Sequence, residues 1–507
     1  MAWNLQHEDA AITLAGPPIA AKADTPYVFM GHYASECNDI ECRIDWQDDA
    51  GRVLASKRWA LPETQGQWIE FFEDITSPAD PLTSPSSVKT LQIHIAHGGA
   101  VGQVRLDDFS LRQGELRDFP DDICLPPLPK GANDFPIFGW MEPALWNHFM
   151  DFYDRGTEYD LDRYHAEFAM AGFTVGRQAR FGLRRYVTPY PVNYDDLMEG
   201  ATDPDVIWIS ASNDEPWPHE FATLAEQNER VLKYAPSKPL WANLLPTYGF
   251  AFYESYQVYI DYIRGYIETV HPTFFTFDHY PFALRDDVRP DFFPNLEIVR
   301  DETRSASIDF GVIALVHQAN ETRRNLDENE LKWQAYSCLA YGAKALGWFT
   351  YFTHTDYAER VGGPGSAVID WYGNRTRQYS MLKRIHAEIR MLGDTLLDLQ
   401  STGVFHTDPL PHMTHPVSES DWIQTVAGDE CILGEFRHSS GHRYLMVLNR
   451  DLLGRREYRV TFRTPHASAA EVSKTTGSLI ELGNNQFDGQ TLTVWVASGD
   501  GRLFRIE

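Results

Sequence analysis

The chain is poor in cysteine and in basic residues, has no membrane-length apolar run, and lacks the short metal motifs. Each shortfall removes a class of function. Its five cysteines (Cys37, Cys42, Cys124, Cys338 and Cys431) form an odd, scattered set in 507 residues. Such a set is no disulfide framework, and only Cys37 and Cys42 are close in sequence. No CxxC or HExxH spacing occurs, so neither a metal nor a cofactor is expected. Lys and Arg number 44 against 72 Asp and Glu, a formal charge of −28. That balance opposes nucleic acid and anionic membrane as partners and disfavours a polyanionic substrate. Residues 1–8 lack a basic segment followed by an apolar one. A cytoplasmic location is therefore expected, or secretion if a leader has been trimmed.

Aromatic residues are abundant, at 13% with 14 Trp and 24 Tyr. Flat rings stack on the apolar faces of sugars, so a carbohydrate partner is expected, large aromatic cores being the plain alternative. The length exceeds what one core supports and calls for two or three domains.

Residues 1–115 read as all-β. Leu91, Ile93 and Ile95 alternate with Gln92 and His94, the period of a half-buried strand. A Pro-rich linker is expected over 116–134, with Pro120, Pro126, Pro127 and Pro129. Over 135–397 short apolar strands alternate with amphipathic helices, the texture of a parallel α/β domain. Strands are expected at 138–141, 173–176, 186–188, 206–209, 239–243, 274–277, 310–316 and 345–349. The third has no room for a helix before it. Eight such units over about 250 residues make a (β/α)8 TIM barrel. Residues 398–507 return to all-β, with Leu492, Val494 and Val496 alternating before the turn Gly499-Asp500-Gly501. The fold class is therefore multidomain, α/β plus all-β, with a barrel flanked by an N-terminal and a C-terminal β-sandwich.

In a (β/α)8 barrel the catalytic groups follow the C-terminal ends of the strands. Those positions hold Glu142, then Arg177 and Gln178, then Asp214 and Glu215 of Asn213-Asp214-Glu215-Pro216. Asn243 follows strand five, Asp278, His279 and Tyr280 follow strand six, and His317, Gln318 and Glu321 follow strand seven. Trp348, Tyr351 and His354 come at strand eight. Glycosidic cleavage wants such a set: two carboxylates, hydroxyl ligands and an aromatic platform. Glu215 is the candidate general acid/base, and apolar neighbours such as Trp208 and Trp217 would keep it protonated. Arg177, Gln178, Asn243 and Tyr280 are the natural hydroxyl ligands.

The closing strand Val104 to Leu111 resembles that of jelly-roll carbohydrate-binding modules. Asn213-Asp214-Glu215-Pro216 resembles the strand-four motif of the clan of (β/α)8-barrel retaining glycoside hydrolases, with one extra residue between Asn and Glu. Phe277-Asp278-His279-Tyr280-Pro281 is similar to the clan's strand six, and Trp348 to its strand-eight tryptophan. Trp333 to Tyr351 looks like the late barrel of β-galactosidase-like proteins. The resemblance implies that Glu215 protonates the leaving oxygen, that a second Glu on strand seven attacks the anomeric carbon, and that the substrate is of β-galactoside type; the expected function is a glycoside hydrolase acting on a neutral oligo- or polysaccharide. Here that strand ends in Val316-His317-Gln318, and the nearest acid is Glu321. Either Asp278 or Glu321 is then the second carboxylate, or none exists and the barrel binds sugar without hydrolysis or uses substrate assistance. Asp278 would be an inverting base if about 6.5–9.5 Å from Glu215, or a nucleophile at about 5–5.5 Å.

Structural alternatives stand beside each assignment. Asp214 and Glu215 could cap a helix with Pro216 at its first position. Asp278 could pair with Arg177 or Arg180, Trp348 could be a core residue, and Glu142 a plain loop acid. Glu330 is expected to open the helix after strand seven. A barrel lyase or isomerase would need a metal cluster or a Lys base at the mouth, and neither is visible.

Overall fold

The computed structural model describes the chain except residues 1–2, 8–11, 24, 36–39, 62–68, 78–87, 98–101, 114–133, 144–160, 180, 188–200, 212, 250–254, 283–287, 318–325, 354–366 and 370–374. The stretch expected as a linker thus falls almost wholly outside the described residues.

Among the described residues nine antiparallel strands precede the barrel: β1 (Trp3–His7), β2 (Ile12–Ala15), β3 (Ile19–Ala20), β4 (Pro26–Ser35), β5 (Ile40–Gln47), β6 (Val53–Leu61), β7 (Ile69–Thr76), β8 (Thr90–His97) and β9 (Gly102–Gln113). They form two sheets, β1-β9-β4-β7 and β2-β8-β5-β6, with β3 also paired to β8. β2 runs along His94–His97 and β3 along Thr90–Leu91. The two are one strand broken at Gly16-Pro17-Pro18, where proline has no N–H for the ladder. Counted so, eight strands make two four-stranded sheets, a jelly roll. Phe29, Tyr33, Ile44, Trp46, Trp59 and Leu91 fill its interior.

The parallel sheet comprises β10 (Ile137–Gly139), β11 (Val175–Gly176), β12 (Arg184–Val187), β13 (Val206–Ser210), β14 (Leu240–Trp241), β15 (Asn243–Leu244), β16 (Phe274–Asp278), β17 (Asp309–Leu315) and β18 (Ala345–Phe349). β14 pairs with β13 and β15 with β16, and only Ala242 separates them. They are two halves of one fifth strand, so the pairing β10-β11-β12-β13-β14/β15-β16-β17-β18-β10 closes a ring of eight. The third strand follows the second with no helix between them, and a turn at Gly182 (φ +80°) brings the chain round. Phe138, Val175, Tyr186, Trp208, Trp241, Phe274, Ile313 and Ala345, one from each strand, pack the interior. A side chain at Gly347 would meet the Phe138 ring at 2.5 Å, so strand eight carries glycine where strand one carries its largest ring.

Around the barrel stand α1 (Leu161–Met170), α2 (Phe221–Tyr234), α3 (Tyr256–Val270), α4 (Phe292–Ala306), α5 (Glu328–Ala340) and α6 (Arg377–Asp398). α5 opens with a reciprocal capping box. Asp327 accepts from the Glu330 N–H at 3.0 Å, and Glu330 accepts from the Asp327 N–H at 2.9 Å. The remaining strands are β19 (Leu399–His406), β20 (Ile423–Ala427), β21 (Cys431–His438), β22 (Arg443–Asn449), β23 (Arg456–Phe462), β24 (Ala469–Val472), β25 (Leu479–Glu481), β26 (Thr491–Val496) and β27 (Gly501–Ile506). A six-stranded sheet, β19-β21-β22-β27-β24-β25, lies over a three-stranded one, β20-β23-β26. Cys431, Leu433, Leu445 and Val447 face the space between the sheets, whereas Ile432, Met446, Leu448 and Leu503 join the barrel's outer core. The larger sheet is therefore buried on both faces, and α5 is buried along its length beneath it. Gly434 permits this approach, since a Cβ there would stand 2.5 Å from the Ala340 carbonyl oxygen. Among the described residues no helix is long and apolar enough to cross a membrane.

Candidate active site

The loop after β13 spends its capping groups away from the acids. Glu220 accepts the Trp217 N–H at 2.7 Å and also the Asn213 side-chain amide, closing the short helical turn that leads into α2. Asp214 and Glu215 are thus not the cap and are left at the barrel mouth. Glu215 has φ +48°, a left-handed backbone uncommon for a residue with a Cβ, and its N–H is held by the Asn243 carbonyl at 3.0 Å.

Asn243 organises the acids. Its side-chain oxygen accepts from Thr276 at 3.2 Å, which directs its amide N–H groups to Asp278 at 3.1 Å and Asp214 at 3.2 Å. Asp278, the last residue of β16, is buried and hydrogen-bonds Glu215. Burial first, then the charge of Glu215, holds the Asp278 carboxyl well above the usual range against the opposing Asn243 amide. Glu215 is also raised, by burial and then by Asp214, while its hydrogen bond to Asp278 opposes the rise. Asp214 keeps solvent at its outer edge, yet desolvation by the surrounding mouth raises its carboxyl too. The two acids are coupled and both are raised, with Asp278 buried and Glu215 partly open to the mouth.

A second group follows strands one to three. Arg177 donates to Glu142 at 2.7 Å and to the Tyr186 hydroxyl at 3.3 Å, and Tyr186 donates to the same Glu142 oxygen. Glu142 is a buried carboxylate, and it is Glu142 rather than Asp278 that takes Arg177. Burial first, then Glu142, pushes the Tyr186 hydroxyl up, keeping it a donor. Gln178 is half-buried beside Arg177.

Tyr280 sits by the acidic group: burial, then the charge of Asp278, raises its hydroxyl, and its ring stands 5.3 Å from Phe349. His279 points the other way, with Nε2 3.6 Å from Asp291 and its ring against Tyr248 and Phe292. Burial alone would raise Asp291, but His279 and Arg289 outweigh it and hold that carboxyl well below the usual range. His317 is buried, 3.2 Å from the Thr350 hydroxyl.

Two expected mouth residues are corrected. Trp348 is fully buried in the shell between strands and helices, with its ring 6.1 Å from His386 of α6. Tyr351 is likewise buried, against Phe168 and Phe173. Strand alternation explains the first: Ala345 joins the interior, so Phe349, not Trp348, shares that face at the mouth. Phe349 and the half-buried Trp140, 6.1 Å from Trp241, are the mouth aromatics that the sequence motifs did not single out. Gln318, Glu321, Arg180 and His354 lie outside the described residues.

No protein-family model matches this chain, and no curated protein matches it. Among solved structures it is similar to a family 39 glycoside hydrolase from Bacteroides cellulosilyticus WH2, at 10% identity and TM-score 0.40, over 92% of this chain and 95% of that one. It is similar to Xylanase10C of Cellvibrio japonicus, in complex with xylopentaose, at 11% identity and TM-score 0.34, over 76% and 93%. A shorter match, to the enzymatically active domain of bacteriophage CBA120 tailspike protein 4, has 15% identity and TM-score 0.19. It covers 22% of this chain, which spans only 15% of the tailspike chain. The barrel and sandwich architecture rests on the strand pairing itself.

Proposed function

We propose that the protein is a glycoside hydrolase acting on a neutral oligo- or polysaccharide, with Glu215 as general acid/base. The observation that carries this reading is the Glu215–Asp278 carboxyl pair, desolvated and hydrogen-bonded at the C-terminal mouth of the barrel. Two carboxyls in contact cannot both ionise readily, so one stays protonated toward neutral pH. The proton passes to the leaving glycosidic oxygen through Glu215, the member open to the mouth. The water that adds to the anomeric carbon returns a proton to the same carboxylate, so the cycle closes with one water consumed. Asn243, Asp214, Arg177, Gln178 and Tyr280 supply hydroxyl contacts, and Trp140 and Phe349 supply the ring surface. The second carboxylate is Asp278 or Glu321. A retaining nucleophile stands about 5–5.5 Å from its acid/base partner, and an inverting base about 6.5–9.5 Å.

Strand seven ends in Val316-His317-Gln318 where the clan places its nucleophile, which favours a second reading, in which the barrel binds carbohydrate without cleaving it. A panel of aryl glycosides and oligosaccharides separates the two, with product stereochemistry followed by NMR. Turnover with azide rescue in Asp278→Asn but not Glu321→Gln assigns the second carboxylate to Asp278, and the reverse assigns it to Glu321. Binding with no turnover on any member of the panel would sink the hydrolase.

A further inference from the structure

We propose that Glu297, Asp301 and His415 bind a divalent transition-metal ion of the zinc class, which ties α4 of the barrel to the C-terminal sandwich. Glu297 and Asp301 are four residues apart on α4 and so share one face. His415 lies in the connection between β19 and β20, and one ligand atom from each of the three falls within 4.8 Å of the others. Ligand atoms on a tetrahedral zinc ion stand about 3.3 Å apart, so side-chain rotations that draw the three atoms inward close the set.

Two further features distinguish this group from an ordinary acidic patch. Glu297 is 3% exposed, and one of its oxygens accepts the Tyr341 hydroxyl at 2.8 Å. Its other oxygen is buried with no hydrogen-bond partner among the described residues. A desolvated carboxylate oxygen without a donor is costly, and a cation satisfies it. His415 places Nδ1 2.8 Å from Glu419, which leaves Nε2 to ligate. A carboxylate behind the imidazole is the usual outer partner of a metal-bound histidine, fixing its tautomer and raising its basicity. Asp301 gives one oxygen to Arg300 at 2.9 Å and keeps the other; its side chain is 53% exposed, which leaves an entry path and room for water. Arg300, paired with Asp301, opposes a cation. One imidazole with two carboxylates suits zinc better than calcium, which prefers an all-oxygen shell. The site uses none of the acids at the mouth and does not depend on the proposed hydrolysis.

The test is calorimetric titration of the metal-free full chain with ZnCl2 and CaCl2, beside thermal unfolding. One Zn2+ per chain is expected, with a raised Tm and calcium binding weaker. Stoichiometric binding should vanish in Glu297→Gln and His415→Ala, and Glu419→Gln should weaken it by about tenfold or more. His415 is only half-buried, so its variant carries the test if Glu297→Gln fails to fold. Zinc binding unchanged in His415→Ala, no stoichiometric binding to the native chain, or tighter binding of calcium than zinc would each overturn the proposal.

Discussion

Lys474 reaches out of the C-terminal sandwich and sets its ammonium group 3.1 Å from the carboxylate of Glu388 on α6. Lys332 of α5 approaches the other Glu388 oxygen to 2.8 Å, Tyr336 donates to the carboxylate at 2.7 Å, and Lys474 also pairs with Asp500. The joint between barrel and sandwich is thus closed by buried charges. Burial alone would raise Glu388, but Lys332 and Lys474 outweigh it and hold the carboxyl at about 2.

Removing that carboxylate leaves two ammonium groups facing each other. Glu388→Gln should cost about 3–5 kcal/mol in urea unfolding at pH 7. The folded pKa lies below the unfolded value of about 4.3, so this stabilisation is present above pH ~4.3 and is lost as pH falls toward 2. The gap between native and variant protein should narrow over that interval. A constant gap would exclude Glu388 as its source.

Asp278 has the opposite sign. Its folded pKa is raised, so its contribution is complete below the unfolded value of about 3.9 and lost as pH rises through the folded pKa. Asp278→Asn, which preserves the bonding shape toward Asn243 and Glu215, should raise Tm at pH 8, with the advantage disappearing near pH 4. A lower Tm at pH 8 would show that the carboxyl pair stabilises the fold.

Glu215→Gln should reduce turnover by about 10²–10⁴ without altering Tm. Asp214→Asn removes a negative neighbour that raises Glu215, so the basic limb of the pH–kcat/KM profile should move to lower pH. An unmoved limb would detach Asp214 from the acid's titration.

Trp348 and Phe349 are adjacent on β18 but serve different faces. Trp348→Ala empties the shell beside His386 and should cost about 3–5 kcal/mol of stability. Phe349→Ala should cost less stability and raise KM about tenfold, equivalent to ~1.4 kcal/mol. Equal effects of the two on KM would remove Phe349 from the substrate platform.

Much of the barrel was legible because each strand is a short apolar run. β13, β16, β17 and β18 begin and end within a residue or so of the expected segments. Even the cramped third strand is present, joined to the second without a helix. Glu215 and Asp278 were legible as acids at strand ends, since position in a barrel strand selects the mouth. The facing of strand eight was not legible: a shift of one residue exchanges Trp348 for Phe349, and apolar residues on both faces leave parity unmarked. Nor was the burial of α5 along its whole length, which arises because the C-terminal sheet covers the face the barrel leaves open.

By itself the sequence determined the succession of barrel strands, the all-β character of the flanking segments and the acids at the strand ends, because hydrophobic period and turn chemistry act over a few neighbouring residues. Tertiary structure decided that Arg177 pairs with Glu142, that Asn243 spans Asp214 and Asp278, and that Asp278 is the more deeply buried of the two coupled acids. Those outcomes depend on desolvation and on distances between groups far apart in the chain. Only the closed ring of eight strands brings them together.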